Sequence, residues 1–192
     1  MLKNLYYKVL DLANRKWALT GLAVVCFLES SVFPVPPDIL LMPMVLANKA
    51  KAFRIATVAT ITSVLGGMFG YFLGNQFINT LGNKIINFYH LNNQFAEFSQ
   101  NFNDYGAVVV LTAGITPLPY KVITIASGAT GMNLLLFTAT SFVARGIRFG
   151  IVAGLLWKFG EPIKEFIEKR LNLLASLFVV ILLAGFYLAG QI

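Results

Sequence analysis

Three long stretches of the chain contain no lysine, arginine, aspartate or glutamate: residues 55–83, 122–144 and 171–192. About 20 apolar residues in an α-helix cross a bilayer core about 30 Å thick, so each stretch is long enough to span it. The chain is 57% hydrophobic and 12% charged, and it has one cysteine. These features exclude a disordered chain, a disulfide scaffold and a nucleic-acid-binding module, and they predict an all-α membrane protein.

Two further apolar stretches are broken by prolines and charged residues. Non-helical backbone at membrane depth is tolerated only where protein or a wet cavity satisfies its polar groups. We therefore expect two re-entrant hairpins, at 17–48 and 106–131, each of which enters the membrane, turns and leaves on the same side. The expected breaks are at Pro34, Pro36, Pro37, Pro117 and Pro119.

The basic residues favour this path. Most of the 15 lysines and arginines lie in the segments 3–16, 49–54 and 158–170, which the positive-inside rule places in the cytoplasm. Segment 80–104 contains one basic residue, Lys84, and is therefore expected on the outer side of the membrane. If each hairpin crossed the membrane fully, the basic clusters on either side of the first would lie on opposite faces. We expect a multi-pass protein with a cytoplasmic N-terminus and no cleaved signal peptide.

The expected domain order begins with an amphipathic interfacial helix over residues 1–16, where apolar residues recur at helical spacing. A transport domain follows over 17–160. It contains the two hairpins and a transmembrane helix after each of them, at 55–79 and 133–157. A final transmembrane helix is expected at 171–190.

Two motifs recur at nearly the same offset and suggest a duplication. P-V-P-P-D at 34–38 is matched by P-L-P-Y-K at 117–121, and F-G-x-x-x-G at 69–74 recurs at 149–154. Chance recurrence in a chain rich in proline and glycine is the alternative. Inverted-topology repeats are typical of transporters whose binding site lies near the membrane midplane. The candidate helix-packing residues, within one chain or in a homodimer, are Gly66, Gly70, Gly74, Gly150 and Gly154.

Five ionisable residues fall in apolar surroundings, where each costs about 2.5 to 3.5 kcal/mol and therefore indicates function or pairing. Glu29 and Asp38 are candidate proton-coupling groups, because a carboxyl group at low dielectric can take up a proton near neutral pH. Arg145 and Arg148 lie three apart on one helical face with no acid beside them in the sequence. Two guanidinium groups in this arrangement suit phosphate oxygens.

Lys121 and Thr116 would approach the same anion from the second hairpin. The alternative is structural: Asp38 and Lys121 form a static pair at the two hairpin tips. A lipid headgroup can reach such a site sideways, whereas a soluble phosphate needs a water-filled vestibule. We therefore expect a phospholipid or another lipid phosphate as substrate, moved with protons.

Other classes of protein are less well supported. His90 is the only histidine, so a lipid phosphatase with a histidine nucleophile lacks its partners, and Cys26 alone cannot form a zinc site. We expect no enzyme activity, no cofactor, no metal and no nucleic-acid partner. A proton- or ion-coupled small-solute transporter, or a purely structural membrane protein, stays open.

The order of four motifs resembles the DedA family, whose members share the VTT or SNARE-associated domain, and most of all its short YqaA-type branch. The motifs are F-L-E-S-S-V-F-P-V-P-P-D at 27–38, G-G-M-F-G-Y-F-L-G at 66–74, G-I-T-P-L-P-Y-K-V at 114–122 and R-G-I-R-F at 145–149. The resemblance implies a fold with two opposed re-entrant hairpins. It also implies flippase- or scramblase-like movement of a phospholipid or a polyprenyl phosphate, such as undecaprenyl phosphate. This movement would take place across the bacterial inner membrane and support envelope homeostasis.

The resemblance also implies residue roles. The acids of the family's first hairpin fall on Glu29 and Asp38. Its second hairpin typically reads G-R-F-x-P-x-x-x-R, with two arginines needed for activity. Here Ile115 stands in place of the first arginine and Lys121 in place of the second. Arg145 and Arg148 are expected to supply the missing guanidinium groups.

Overall fold

The computed structural model describes residues 17–32, 36–116 and 119–189, and side chains as far as Gly160 together with Pro162. The expected interfacial helix at 1–16, Pro34 and Pro117 lie outside the described residues. The described backbone is all-helical, with a 3-10 turn at Lys49–Lys51 and a π-helical turn at Ile78–Gly82. Its α-helices are Ala18–Ser31 (α1), Asp38–Ala47 (α2), Ala52–Phe77 (α3), Asn83–Phe88 (α4), Asn92–Asp104 (α5), Gly106–Ile115 (α6), Tyr120–Ala129 (α7) and Leu134–Ala189 (α8).

Among the residues whose side chains are described, two helical segments are long and apolar enough to cross a membrane, Lys49–Phe88 and Leu134–Gly160. The expected spans at 55–79 and 133–157 fall within them. The third expected span, at 171–190, is part of α8 as far as Ala189, because α8 continues through Pro162 without a break.

The first helix pair consists of α1 and α2. Its open end, formed by the start of α1 and the end of α2, lies beside the start of α3. The Phe27 backbone packs against Gly66 and the Ser30 carbonyl lies beside Gly70, so α1 and α3 run in the same direction. On the way back, α2 buries Leu41 and Val45 in a core with Ala52, Ile55 and Phe149 of α3 and α8. Both ends of the pair therefore lie near the 3-10 turn.

The second helix pair, α6 and α7, opens toward the other end of α3. Gly114 packs against Ala144, and Gly106 lies beside Met132, so α6 runs alongside α8. Tyr120 lies beside Gly67 and the Ile125 carbonyl beside Gly74, so α7 leads away from the middle of α3 toward its C-terminal end. The tips of the two pairs therefore meet midway along α3.

The long helices α3 and α8 are antiparallel. The Lys49 side chain contacts Gly160 at one end, and the rings of Tyr71 and Phe137 lie 5.5 Å apart toward the other. The order of a short helix, a break with prolines, a helix of 10 residues and a long helix thus occurs twice. The duplication itself, and the position of the hairpins relative to a membrane, stay predictions.

The glycines chosen from the sequence fall into two groups. A Cβ at Gly66 or Gly74 would overlap a backbone carbonyl of α1 or α7, and one at Gly70 would overlap the Thr124 side chain. At Gly150 and Gly154 a Cβ would have no atom within 4 Å. Close helix contact therefore requires glycine on α3, and no described neighbour requires it at the two positions on α8.

Candidate functional site

The two helix breaks bring polar groups together beside the middle of α3. Pro37 precedes α2 with φ −65° and Pro119 precedes α7 with φ −66°, which is the value that the proline ring imposes at a helix start. Asp38 is therefore the first residue of α2, and Lys121 is in the first turn of α7. Pro36 is exposed beside the first break.

Arg145 of α8 is fully buried and reaches the first helix pair. Its Nη2 donates to Oε2 of Glu29 at 2.8 Å, and its Nε donates to Oγ of Ser63 at 2.6 Å. The exposed fractions of the two charged side chains are 0% for Arg145 and 17% for Glu29. A buried charge persists only when it is paired and hydrogen-bonded, so this contact accounts for an arginine inside an apolar core.

Two serines complete this pair. Ser30 donates to the Glu29 carboxylate at 3.1 Å, and its hydroxyl lies 2.7 Å from that of Ser63. The network therefore joins α1, α3 and α8 through side chains alone. The sequence reasoning assigned no role to either serine, although Ser63 is a polar residue in the middle of a span.

The Arg145 guanidinium also lies between two aromatic rings. Its Cζ is 4.7 Å from the centroid of the Tyr120 ring and 4.8 Å from that of Phe149. A desolvated cation over an aromatic face gains about 2 kcal/mol or more. Phe149 is on α8 itself, whereas Tyr120 follows the second break, so the Tyr120 ring connects Arg145 to the second helix pair as well. Sequence reasoning missed both rings, because an aromatic residue in an apolar helix has no pattern that marks it as a cation's neighbour.

Arg148 is less buried and bridges the two breaks. Its Nη2 lies 2.8 Å from Oδ2 of Asp38, and its Nη1 donates to the Thr116 carbonyl at 3.1 Å. The exposed fraction is 17% for the Arg148 side chain and 26% for that of Asp38. One guanidinium therefore holds the start of α2 against the end of α6.

The pairing corrects one premise and one alternative from the sequence. Arg145 and Arg148 have no acid beside them in the sequence, but in the fold each is paired with a carboxylate. Asp38 pairs with Arg148, not with Lys121. Residues three apart on a helix are offset by about 4.5 Å along its axis, so the two arginines reach different parts of the first helix pair.

The remaining headgroup candidates lie close by. Lys121 is half-buried and makes no ion pair with the residues that the structure describes. The Thr116 hydroxyl donates to the Thr112 carbonyl of its own helix at 2.6 Å, so Thr116 offers the site its backbone oxygen.

The last carbonyls of a broken helix lack intrahelical donors, and here side chains of other helices supply them. Thr124 of α7 donates to the Ser30 carbonyl at the end of α1, at 3.2 Å, which is a contact between the two halves. Arg148 of α8 donates to the Thr116 carbonyl after α6, within the second half. Each break is thus stabilised by a side chain from another helix.

A family model for the VTT domain matches residues 35–158. The chain belongs to the VTT domain family. The resemblance to the DedA family is thereby confirmed, and proteins with this domain are membrane-associated. Within the part of this VTT protein that the structure describes, no group of three or more His, Cys, Asp or Glu could hold a metal ion.

Two relatives of this VTT protein are uncharacterized. A protein of Haemophilus influenzae is 31% identical over 185 residues, 96% of each chain. The "Uncharacterized protein HI0703 homolog" of Histophilus somni is 34% identical over 169 residues, which cover 86% of this chain and 88% of the relative. No solved structure matches the chain.

The matched VTT domain contains Asp38, Lys121 and both arginines, and Glu29 precedes it. Ile115, which by the resemblance replaces the first arginine of the second hairpin, is 40% exposed. Arg148 reaches the adjacent residue, Thr116, from α8. The guanidinium group closest to the second break therefore comes from the following helix.

Proposed function

We propose that this membrane protein transports a lipid with an anionic phosphate headgroup across the bacterial inner membrane, by proton-coupled movement and without covalent chemistry. The observation that carries the proposal is the contact of Asp38 and Arg148, 2.8 Å apart and partly exposed, which joins the tips of both helix pairs. Charged groups at an intramembrane break indicate a transport pathway, because their burial is costly without one.

The proposed membrane path follows from the antiparallel long helices. The end where Lys49 meets Gly160 also carries Lys51, Arg54 and Lys158, and the positive-inside rule assigns that end to the cytoplasm. The first helix pair opens toward this end and the second toward the other. We propose that both pairs are re-entrant hairpins and that the two halves are inverted repeats, with a cytoplasmic N-terminus.

The proposed ligand group is phosphate. Arg148 presents a planar fork that suits phosphate oxygens, and Lys121 adds a half-buried cation from the first turn of α7. A lipid is favoured over a soluble anion because its chains can stay in the hydrocarbon while the headgroup enters between the helix pairs.

Proton coupling is proposed at the two acids. A proton on Asp38 removes the charge that holds Arg148, and a proton on Glu29 does the same for Arg145. The first change leaves a guanidinium group that favours an anion, and the second weakens the contact between α1 and α8. Lipid phosphate and protons would thus alternate at the arginine that the site exposes.

The proposal is tested with purified protein in vesicles that contain a fluorescent lipid phosphate, where a membrane-impermeant reductant reports movement between leaflets. We expect the wild type to move the lipid and Arg148→Ala to abolish movement. Arg54→Ala, an exposed arginine at the end of the molecule, is the matched control and should behave as the wild type. Uptake of a small solute without lipid movement would contradict the proposal.

Coupling has a separate test. A pH gradient should drive net lipid movement in wild-type vesicles, and Glu29→Gln or Asp38→Asn should remove that drive. If both variants keep full gradient-driven activity, proton coupling is wrong while lipid movement can still hold.

A further inference from the structure

The two ion pairs of the site differ in how far solvent reaches the arginine. The Arg145 side chain has an exposed fraction of 0%, bonds Glu29 and Ser63 with two of its nitrogens and is covered by two aromatic rings. Its third nitrogen, Nη1, is buried with no hydrogen-bond partner among the described residues. Displacing Glu29 would therefore leave a second nitrogen of a desolvated cation without its charged partner.

The contact of Asp38 and Arg148 is more open to solvent, because the two side chains are 26% and 17% exposed. Only Oδ2 of Asp38 binds the guanidinium, and its other oxygen, Oδ1, is buried with no hydrogen-bond partner among the described residues. The second nitrogen of Arg148 donates to the Thr116 carbonyl instead of to the carboxylate. Both ion pairs therefore lack the two-pronged geometry that makes arginine–carboxylate contacts strong, and this one has a partly solvent-exposed arginine as well.

We propose that Asp38 occupies the place of the substrate's phosphate on Arg148, so that headgroup binding displaces Asp38 and separates the two helix breaks, whereas Arg145 stays with Glu29 and binds no headgroup. This inference rests on the proposed function and narrows it to one arginine. A phosphate oxygen is the same kind of acceptor as the carboxylate it replaces, and Lys121 in the first turn of α7 supplies a second cation nearby.

Displacement also explains why binding at one residue can open the site. Arg148 is the only side chain in the described residues with hydrogen bonds to both Asp38 at the start of α2 and Thr116 at the end of α6. When its fork turns to a headgroup, that connection between the two breaks is lost. The network of Glu29, Ser63 and Arg145 still holds α1 against α3 and α8, so the helices around the site stay in place.

If Asp38 and a phosphate headgroup compete for Arg148, removing the charge of Asp38 should strengthen headgroup binding, which a static ion pair does not predict. If Asp38 holds Arg148 in about nine molecules of ten, the apparent affinity for a phosphate headgroup is reduced about tenfold. Asp38→Asn should therefore bind short-chain phosphatidic acid about tenfold more tightly than the wild type, as measured by titration calorimetry in detergent. Unchanged or weaker binding by a folded Asp38→Asn protein would overturn the proposal.

Three further titrations test the proposal against its alternatives. Glu97→Gln removes one negative charge at an exposed position of α5 and should bind as the wild type. Glu29→Gln should not tighten binding, and tightening equal to that of Asp38→Asn would overturn the distinction between the two pairs. Inorganic phosphate replaces the lipid in the third titration. If Asp38→Asn binds inorganic phosphate more tightly than the wild type does but binds the lipid no more tightly, the lipid headgroup is the wrong ligand.

A measurement on the wild type covers the case in which Asp38→Asn does not fold. Phosphatidic acid should increase the reaction of Asp38 with a hydrophobic carbodiimide, read by mass spectrometry, and leave that of Glu29 unchanged. Equal or reduced labelling of Asp38 would contradict displacement. Lipid movement in vesicles is a separate readout: wild-type protein that moves lipid but shows neither effect contradicts only the present inference.

Discussion

The guanidinium of Arg145 lies 2.8 Å from the carboxylate of Glu29, 116 residues earlier in the chain. The contact joins α1 of the first helix pair to α8, and Ser63 of α3 accepts a further hydrogen bond from Arg145. Because both partners sit among apolar helices, each makes the burial of the other tolerable. We therefore expect this pair to contribute more to the stability of the protein than the more exposed pair of Asp38 and Arg148.

Arg145→Ala should destabilise the protein strongly. It leaves Glu29 without its cation and opens a cavity between Tyr120 and Phe149, and the loss of one partner of a buried pair costs about 3 to 5 kcal/mol. The unfolding midpoint in SDS titrations measures the change. Arg148→Ala, which removes a side chain with 17% exposure, should lower the midpoint much less. Equal losses for the two variants would contradict this ranking.

Thr124→Val should weaken the contact between the two helix pairs. The substitution keeps the shape of the side chain but removes a hydroxyl hydrogen that is shared between the Ser30 carbonyl, at 3.2 Å, and the Lys121 carbonyl of the same helix, at 2.9 Å. The expected cost is therefore at the lower end of the about 1 to 3 kcal/mol that an unpaired buried acceptor costs. Thr57→Val is the control, because the Thr57 hydroxyl is exposed and bonds only within its own helix. Similar midpoints for both variants would show that the contact between the halves contributes nothing.

The sequence was sufficient to predict the all-helical membrane class and to mark four charged residues that the fold brings together in pairs, because burying charge in an apolar stretch is costly. It did not predict which acid pairs with which arginine. That choice depends on the rotation and axial offset of helices more than 100 residues apart, and no local pattern encodes it. Ser63 and Tyr120 were missed for the same reason: their roles come from neighbours on other helices.

Substitution of glycine should have opposite effects on α3 and α8. Gly74→Ala places a methyl group against the Ile125 carbonyl, and such overpacking costs about 1 to 3 kcal/mol. Gly154→Ala meets no atom within 4 Å and replaces a helical glycine with a better helix former, which gains about 0.5 to 1 kcal/mol. The unfolding midpoint should therefore fall for the first variant and stay or rise for the second. A fall for Gly154→Ala would indicate a contact on α8 outside the monomer.

The antiparallel arrangement of α3 and α8 predicts which residues share a membrane face. Cys26 is the only cysteine and is buried, so Cys26→Ala provides a background for single new cysteines. In that background, Lys51→Cys and Lys158→Cys should react with a membrane-impermeant maleimide only after the cytoplasmic side is opened. Asn92→Cys at the start of α5 should react in intact cells, because α5 follows the far end of the Lys49–Phe88 span. Labelling of Lys51→Cys and Lys158→Cys from opposite sides would rule out the proposed membrane path, since the Lys49 side chain contacts Gly160 at a single end of the molecule.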